Sequence, residues 1–408
     1  MKMAAATAGA GAGGLEVVLF PWLAFGHMIP FLELSKRLAA RGHAVAFVST
    51  PRNLARLPPV PAHLSARIRF VALPLPAVEG LPEGAEATSD LPPNKVELLK
   101  KAMDGLAGPL VSFLAAAVAA GRRPDWIILD FCHHWVPPIA DQHKVPCAAF
   151  LIFHAACIAF LGPRWANDAY PRTKPEDFPS TTAFLHHEAR RMLSDNFGHQ
   201  VLSWRNDQPP KSVLYVALGS EAPLTLENIH ELALGLELAG VRFLWALRKP
   251  TGTNNEHELL PAGFEERTRA RGVVCTGWVP QVKVLAHGAT AAFLTHCGWG
   301  STIESFAFGL PLVMLPFLTD TPMIARAMAK RGIGVEVARD DSDGSFDRDG
   351  VAVAVRHVMV EDEGNVFATN AKKLKELVVD EARQEQYIHE LEEHLRRYKD
   401  DRGSTSTS

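Results

Sequence analysis

The chain has 408 residues, 47% of them hydrophobic, and a formal net charge of -3 from 42 basic and 45 acidic side chains. That length and apolar content allow two or three domains with sizeable cores and exclude global disorder. The near-balanced charge, without a basic run, argues against nucleic acid as a main partner.

Residues 1–14, "MKMAAATAGAGAGG", carry one Lys and no Leu, Val or Ile, and read as a disordered lead. Their "GAGAGG" precedes a strand, whereas a dinucleotide-binding turn would follow one. "LEVVLF" (15–20) is a first strand, "PWLAFGH" its exit loop, and "IPFLELSKRLAARG" a helix with Pro30 in its first turn and Gly42 at its end. "AVAFVS" (44–49) and "IRFVAL" (68–73) are further strands. Residues 95–119 read as one helix, kinked at Gly105 or Gly108–Pro109. "DWIILD" (125–130) and "PCAAFLI" (146–152) are strands with a helix near 135–142 between them. Strand alternating with helix means βαβ units and a parallel sheet.

After a Pro-, Asp- and Asn-rich stretch, 162–210, the pattern restarts at "KSVLYVALGS" (211–220). Helices near 224–239, 261–270, 280–287, 299–308 and 321–331 alternate with strands at 241–247, 272–275, 289–294, 311–316 and 334–337. Apolar positions at helical spacing over 367–398 predict a long C-terminal helix. The expected fold class is α/β, two Rossmann-like domains with a C-terminal helical segment. The expected bounds are 15–205 and 206–398, with 399–408 a disordered tail, and ligands bind in the cleft of such an architecture. Five dispersed cysteines without a C-x-x-C pair suit a reducing compartment. No run of about 18 uninterrupted apolar residues is present, so no membrane span is expected. Together these features predict a soluble, cytoplasmic protein.

The stretch "THCGWGSTIES" (295–305) follows a buried-type strand and opens a helix. Gly298 and Gly300 bracket Trp299 and let the backbone approach a ligand closely. Free N–H groups at 299–301 and the positive helix end suit phosphate. His296 can add a donor, Glu304 can accept from a ribose diol, and Asp320 from sugar hydroxyls. Trp278 offers a flat face to a base. Base, ribose, diphosphate and sugar together describe a nucleotide sugar.

Residues 278–321 resemble the signature box of plant UDP-sugar-dependent glycosyltransferases, W-x-P-Q, then H-C-G-W-N-S-x-x-E, then D-Q. The resemblance implies a GT-B fold of two facing Rossmann-like domains, with a UDP-sugar as donor substrate and no cofactor or metal. It implies that Trp278 stacks on uracil and the Val279 backbone pairs with the base edge. Gln281 and Glu304 hold the ribose, His296, Ser301 and Ser220 the diphosphate, and Asp320 the sugar. "PWLAFGHMIP" is similar to the family's first-strand loop, which makes His27 the catalytic base and Asp130 its acidic partner. A neutral imidazole oriented by a buried carboxylate suits proton removal from an attacking hydroxyl. "STPRN", "RLPP", "LPLPAVEGLPEGAEATSDLP" and "HKVPCA" look like the subgroup that adds a sugar to flavonoid or terpenoid glycosides, with glucose or rhamnose as the sugar.

Three features depart from the family pattern. Gly300 stands where the family has Asn, Thr321 stands where it has Gln, and 162–210 is shorter than expected. Two other readings follow from the residues: a UDP-sugar-binding protein of this fold with impaired turnover, and a nicotinamide oxidoreductase. The second lacks a fingerprint after any strand. "DDSD" (340–343) reads as a solvated surface loop, and His133, His134, His186 and His187 lack a metal-ligand set.

Overall fold

The computed structural model describes residues 13–153, 208–219, 222–248, 259–276, 279–317 and 320–405. The chain divides into two compact units. The first runs to Ile152 and resumes at Gln386, and the second spans Phe153–Glu385.

In the first unit five parallel strands lie in the order β3-β2-β1-β4-β5: β1 Glu16–Phe20, β2 Ala44–Ser49, β3 Ile68–Ala72, β4 Trp126–Leu129 and β5 Cys147–Ala149. The second holds six, β11-β10-β9-β6-β7-β8: β6 Val213–Ala217, β7 Arg242–Ala246, β8 Gly272–Cys275, β9 Thr290–Thr295, β10 Leu312–Met314 and β11 Gly334–Glu336. Both orders are those of doubly wound Rossmann-like sheets. Their central strands are apolar throughout because both faces are covered. In β1, Val18 and Phe20 join one core cluster while Val17 and Leu19 join the opposite one. In β6, Leu214 and Val216 alternate with Val213 and Tyr215 in the same way.

The helices are α1 Phe25–Ala40, α2 Pro51–Arg56, α3 Val96–Asp104, α4 Ala107–Ala119 and α5 Val136–Gln142, then α6 Leu226–Ala239, α7 Phe264–Thr268, α8 Gln281–Leu285, α9 Trp299–Ala307, α10 Thr321–Lys330, α11 Arg348–Met359, α12 Glu363–Val378 and α13 Glu381–Thr405. Several differ from expectation. Helix α1 begins five residues before Pro30, because His27 N and Met28 N both close on Ala24 O at 2.9 Å. Pro30 then removes only one internal bond. The run 95–119 is two helices that break at Gly105–Leu106, and Pro109 falls in the first turn of α4, where a missing N–H is no loss. Helix α11 was not foreseen: "VAVAV" alternates like a strand, but Asp347 Oδ1 accepts from Gly350 N at 2.8 Å and starts a helix.

Val96–Ala119 passes as a membrane span by length and composition alone, although it is broken at Gly105–Leu106. Its Leu99, Met103, Leu106, Leu110 and Leu114 are buried in the core of the first unit.

The C-terminal helix departs most from the expected boundaries. From Gln386 it belongs to the first unit, not the second, and it stays helical to Thr405 where a disordered tail was expected. Ile388 and Leu395 enter the core beside Val17, Phe31 and Trp126. Trp126 Nε1 donates to Leu395 O at 3.1 Å, and Tyr398 packs on the Trp126 ring at 5.0 Å between centroids. A polar clasp backs this contact. Buried His43 accepts from Leu15 N at its Nδ1, at 3.0 Å. Its Nε2 lies 3.2 Å from Glu392 Oε1, within ion-pair reach though poorly aligned for a hydrogen bond. Glu392 also meets Arg41 and Arg396.

Leu395→Ala is expected to cost about 2–5 kcal/mol of stability, the usual loss for a buried leucine. Urea unfolding checks this, and an unchanged midpoint means the helix is not anchored there. The clasp also carries a pH dependence. Burial holds the His43 imidazole below its ordinary 6.5; Glu392 opposes this, while Arg396 and Arg41 add to it. The folded state therefore binds fewer protons here, and His43's share of stability is lost as pH falls below 6.5. His43→Gln can keep the acceptor for Leu15 N without titrating. It is expected to flatten the fall in unfolding midpoint between pH 7.5 and 5.5, and an identical slope in both proteins would exclude His43 as a cause.

Candidate functional site

In each sheet the strand order reverses between two neighbours, β1 and β4 in the first unit, β6 and β9 in the second. Ligands in such sheets bind beyond the carboxyl ends of the strands at that reversal. His27 and Asp130 follow β1 and β4, and His296 follows β9.

In the first unit, β1 leads through Trp22 into α1, and β4 ends one residue before Asp130. Pairing of Phe20 with Leu129 brings the two exits together. His27, three residues into α1, directs Nδ1 at Asp130 Oδ2, 2.7 Å away. The carboxylate is buried, and the imidazole keeps 14% of its side-chain surface exposed. Asp130 is fixed from two further directions: Oδ2 accepts from Trp22 N at 3.0 Å and Oδ1 from Phe131 N at 2.8 Å. Burial alone would raise its pKa. The hydrogen bond and charge of His27 and the two backbone N–H groups outweigh that and hold it below the usual carboxylate value. A carboxylate on Nδ1 selects the tautomer with its proton there and leaves Nε2 as the basic nitrogen. The Phe131 ring, half-exposed, lies 5.5 Å from the His27 ring.

His133 sits beneath this pair with its ring 4.4 Å from Phe20. Burial pushes it down to about 4, so it is a neutral core residue.

In the second unit, His296 follows β9 and lies between two glycines. A Cβ on Gly219 would fall 2.4 Å from His296 Cε1, and one on Gly298 would fall 2.6 Å from Nε2. Gly219 also has φ +70. The need for glycine at 219, the last residue before Ser220, was not drawn from the sequence, although "ALGS" at a strand exit is its signal. Burial lowers His296 to about 4, and its buried Nδ1 has no partner among the described residues. Cys297 next to it takes a left-handed φ of +66, rare for a residue with a Cβ. That turn makes Gly298 the N-cap of α9, and the first internal bond is Thr302 N to Gly298 O. The N–H groups of Trp299, Gly300 and Ser301 precede it and have no partner within the helix.

Gln281, at the start of α8, donates from Nε2 to Ser301 Oγ at 3.1 Å and to Glu304 Oε2 at 2.8 Å. Burial raises the Glu304 pKa, and the Gln281 bond partly offsets that. Val279 is partly buried against the same core. Gly300 is exposed, with nothing within 4 Å of the position a Cβ would take. Asp320 is the N-cap of α10. Thr321 is buried, and its hydroxyl accepts from Phe317 N at 3.2 Å, so it serves the local turn. Ser220, Trp278 and most of 162–210 lie outside the described residues.

Comparison with known proteins agrees in both halves. The family profile described as "Glycosyltransferase, N-terminal domain" matches residues 14–203, and "UDP-glucoronosyl and UDP-glucosyl transferase" matches 178–383. UDP-glycosyltransferase 91D1 of Stevia rebaudiana is 38% identical, over 93% of this chain and 92% of that one. The match spans 455 positions, more than the 408 residues here, so that relative carries residues with no counterpart in this chain. The beta-D-glucosyl crocetin beta-1,6-glucosyltransferase of Gardenia jasminoides is 31% identical, over 92% of this chain and 97% of that one. Among solved structures, Arabidopsis thaliana UGT89C1 complexed with UDP-L-rhamnose superposes with a TM-score of 0.76 at 26% identity, over 94% of this chain and all of that one. With matched profiles in both halves, two doubly wound sheets and a relative that similar along nearly its whole length, the chain belongs to the UDP-glycosyltransferase family.

Proposed function

We propose that this UDP-glycosyltransferase moves glucose or rhamnose from its UDP-sugar to a hydroxyl of a small plant natural product, including one that already bears a sugar, with inversion at the anomeric carbon. The observation that carries the reading is the 2.7 Å contact of His27 Nδ1 with buried Asp130 at the strand reversal of the first unit. His27 Nε2 removes the acceptor hydroxyl's proton as that oxygen attacks the anomeric carbon, and UDP leaves. Asp130 keeps the tautomer and stabilises the imidazolium that forms.

The donor reading rests on the second unit. N–H groups at 299–301 and the positive end of α9 favour the diphosphate. His296 is neutral at physiological pH, so it contributes a hydrogen bond rather than a charge. Gln281 and Glu304 are already joined and present oxygen acceptors for the ribose diol. The family resemblance adds Trp278 for the base, the Val279 backbone for its edge, Ser220 for the diphosphate and Asp320 for the sugar. No cofactor or metal is part of this reading, since helix end and side-chain donors can meet the diphosphate charge.

Glycoside acceptors are supported by the Gardenia relative's name, which specifies a glucosylated acceptor, and by the first-half segments noted above. Rhamnose as donor is supported by the Arabidopsis complex. Cys132, Cys147, Cys275 and Cys297 are all free, which supports a cytosolic location.

His27→Ala is expected to lower kcat by about 10²–10⁴-fold, the usual share of a general base, with UDP affinity unchanged in calorimetry. Retention of a tenth of the activity would end the assignment. Asp130→Asn should also slow turnover heavily, through the wrong tautomer. Gly300→Asn has open space for its side chain. If the amide reaches a phosphate, UDP affinity rises by about 1.5–3 kcal/mol. An unchanged dissociation constant would mean that the backbone donors suffice.

A further inference from the structure

Helix α2 leaves β2 at the carboxyl edge of the first sheet, the edge that also carries His27 and Asp130. Its last residue, Arg56, contacts Asn53, Asp90 and Phe25 there. Nη1 donates to Asp90 Oδ1 at 2.7 Å and Nη2 to Asp90 Oδ2 at 3.0 Å, a planar fork on a carboxylate. The same guanidinium lies 4.9 Å from the centroid of the Phe25 ring. Phe25 is the first residue of α1, two before His27.

Asp90 passes the constraint on. Its Oδ2 also accepts from Glu86 N at 3.0 Å and Ala87 N at 2.9 Å, which closes residues 86–90 into a tight turn. Asn53 Nδ2 holds the same turn through Glu86 O at 2.6 Å. From that turn Thr88 N donates to Leu23 O at 3.0 Å. Leu23 follows Trp22, whose own N–H fixes Asp130. The stretch from Trp22 through the first turn of α1 is therefore held at Trp22 by Asp130, at Leu23 by the 86–90 turn and at Phe25 by the guanidinium. Two of the three holds depend on the Arg56–Asp90 pair.

We propose that Arg56, with Asp90, is a positioning residue for transfer: it sets the first turn of α1 so that His27 meets Asp130 and the acceptor oxygen in register. Arg56 touches neither His27 nor Asp130. A plain stabilising ion pair would change unfolding and leave the chemical step alone. A positioning pair changes kcat and the imidazole itself, because a displacement of about 1 Å costs up to 10²-fold in rate.

The test uses the full chain and three readouts: kcat, UDP affinity by calorimetry, and the downfield proton resonance of His27 Nδ1–H, assigned by its loss in His27→Ala. Arg56→Gln is expected to lower kcat about tenfold or more, leave the UDP dissociation constant within about twofold, and shift or broaden the resonance. Arg56→Lys keeps a cation near Phe25 without the fork and is expected to lie between. It also decides the matter should the glutamine variant fail to fold. Wild-type kcat and an unmoved resonance in either folded variant would overturn the proposal. It rests on His27 as the base. Undiminished turnover in His27→Ala would sink that reading, whereas an inactive His27→Ala beside a fully active Arg56→Gln would sink only this one.

Discussion

Each sheet has one place where the crossovers on either side leave in opposite directions, and both candidate half-sites depend on it. Between β1 and β4, the pairing of Phe20 with Leu129 brings two loop starts side by side. Trp22 N can then reach the carboxylate that follows β4. Between β6 and β9, the pairing of Ala217 with Thr295 sets Gly219 against the His296 ring. One packing constraint thus produces two different environments. In the first, a buried carboxylate is surrounded by three donors. In the second, an imidazole is wedged between backbone atoms at the start of a helix.

Electrostatics separates the histidines that cluster at these edges. His133 and His296 are pushed to about 4 by burial. They stay neutral through the physiological range and serve as packing or hydrogen-bonding groups. At the first edge His27 Nδ1 faces Asp130 directly, and Asp130 stays ionised because His27, Trp22 N and Phe131 N all donate to it. Burial of a lone carboxylate would favour the neutral acid, which could neither select the tautomer nor stabilise a protonated ring. The two backbone donors therefore matter to the proposed chemistry even though neither side chain takes part.

The fold was legible where apolar runs are continuous. "LEVVLF" and "KSVLYVALGS" read as strands buried on both faces, and their alternation with helices implies parallel sheets. The reading failed where local pattern and tertiary context disagree. "VAVAV" carries a strand period yet forms α11 once Asp347 caps it. Pro30 suggested a helix start, but the preceding five residues close their own first turn, which puts His27 on a helix rather than in a loop. The placement of residues beyond Gln386 depends on Leu395 and Glu392 meeting groups more than 250 residues earlier, such as Trp126. No local window contains that information. The His27–Asp130 pair, 103 residues apart, was reached through resemblance and not through spacing. Gln281 came from the same source, whereas Glu304 was read from its place in the helix, and the geometry adds that the two hydrogen-bond directly.

The two substitutions in the signature box have different physical weights. Left-handed backbone at Cys297 costs about 1–3 kcal/mol, and the turn it makes leads directly into the first N–H groups of α9. Those donors belong to the backbone. Their positions follow from β9, Cys297 and Gly298, and no side chain at 300 is needed to create them. Gly300 removes a side-chain contact from the family pattern without disturbing the helix end. Thr321 is a different case. Its buried hydroxyl is the acceptor for Phe317 N, so it ties the loop after β10 to the first turn of α10, beside Asp320. A longer amide there would have to replace that acceptor as well as reach a sugar. Position 300 is therefore free to vary independently, whereas position 321 is coupled to the turn that carries Asp320.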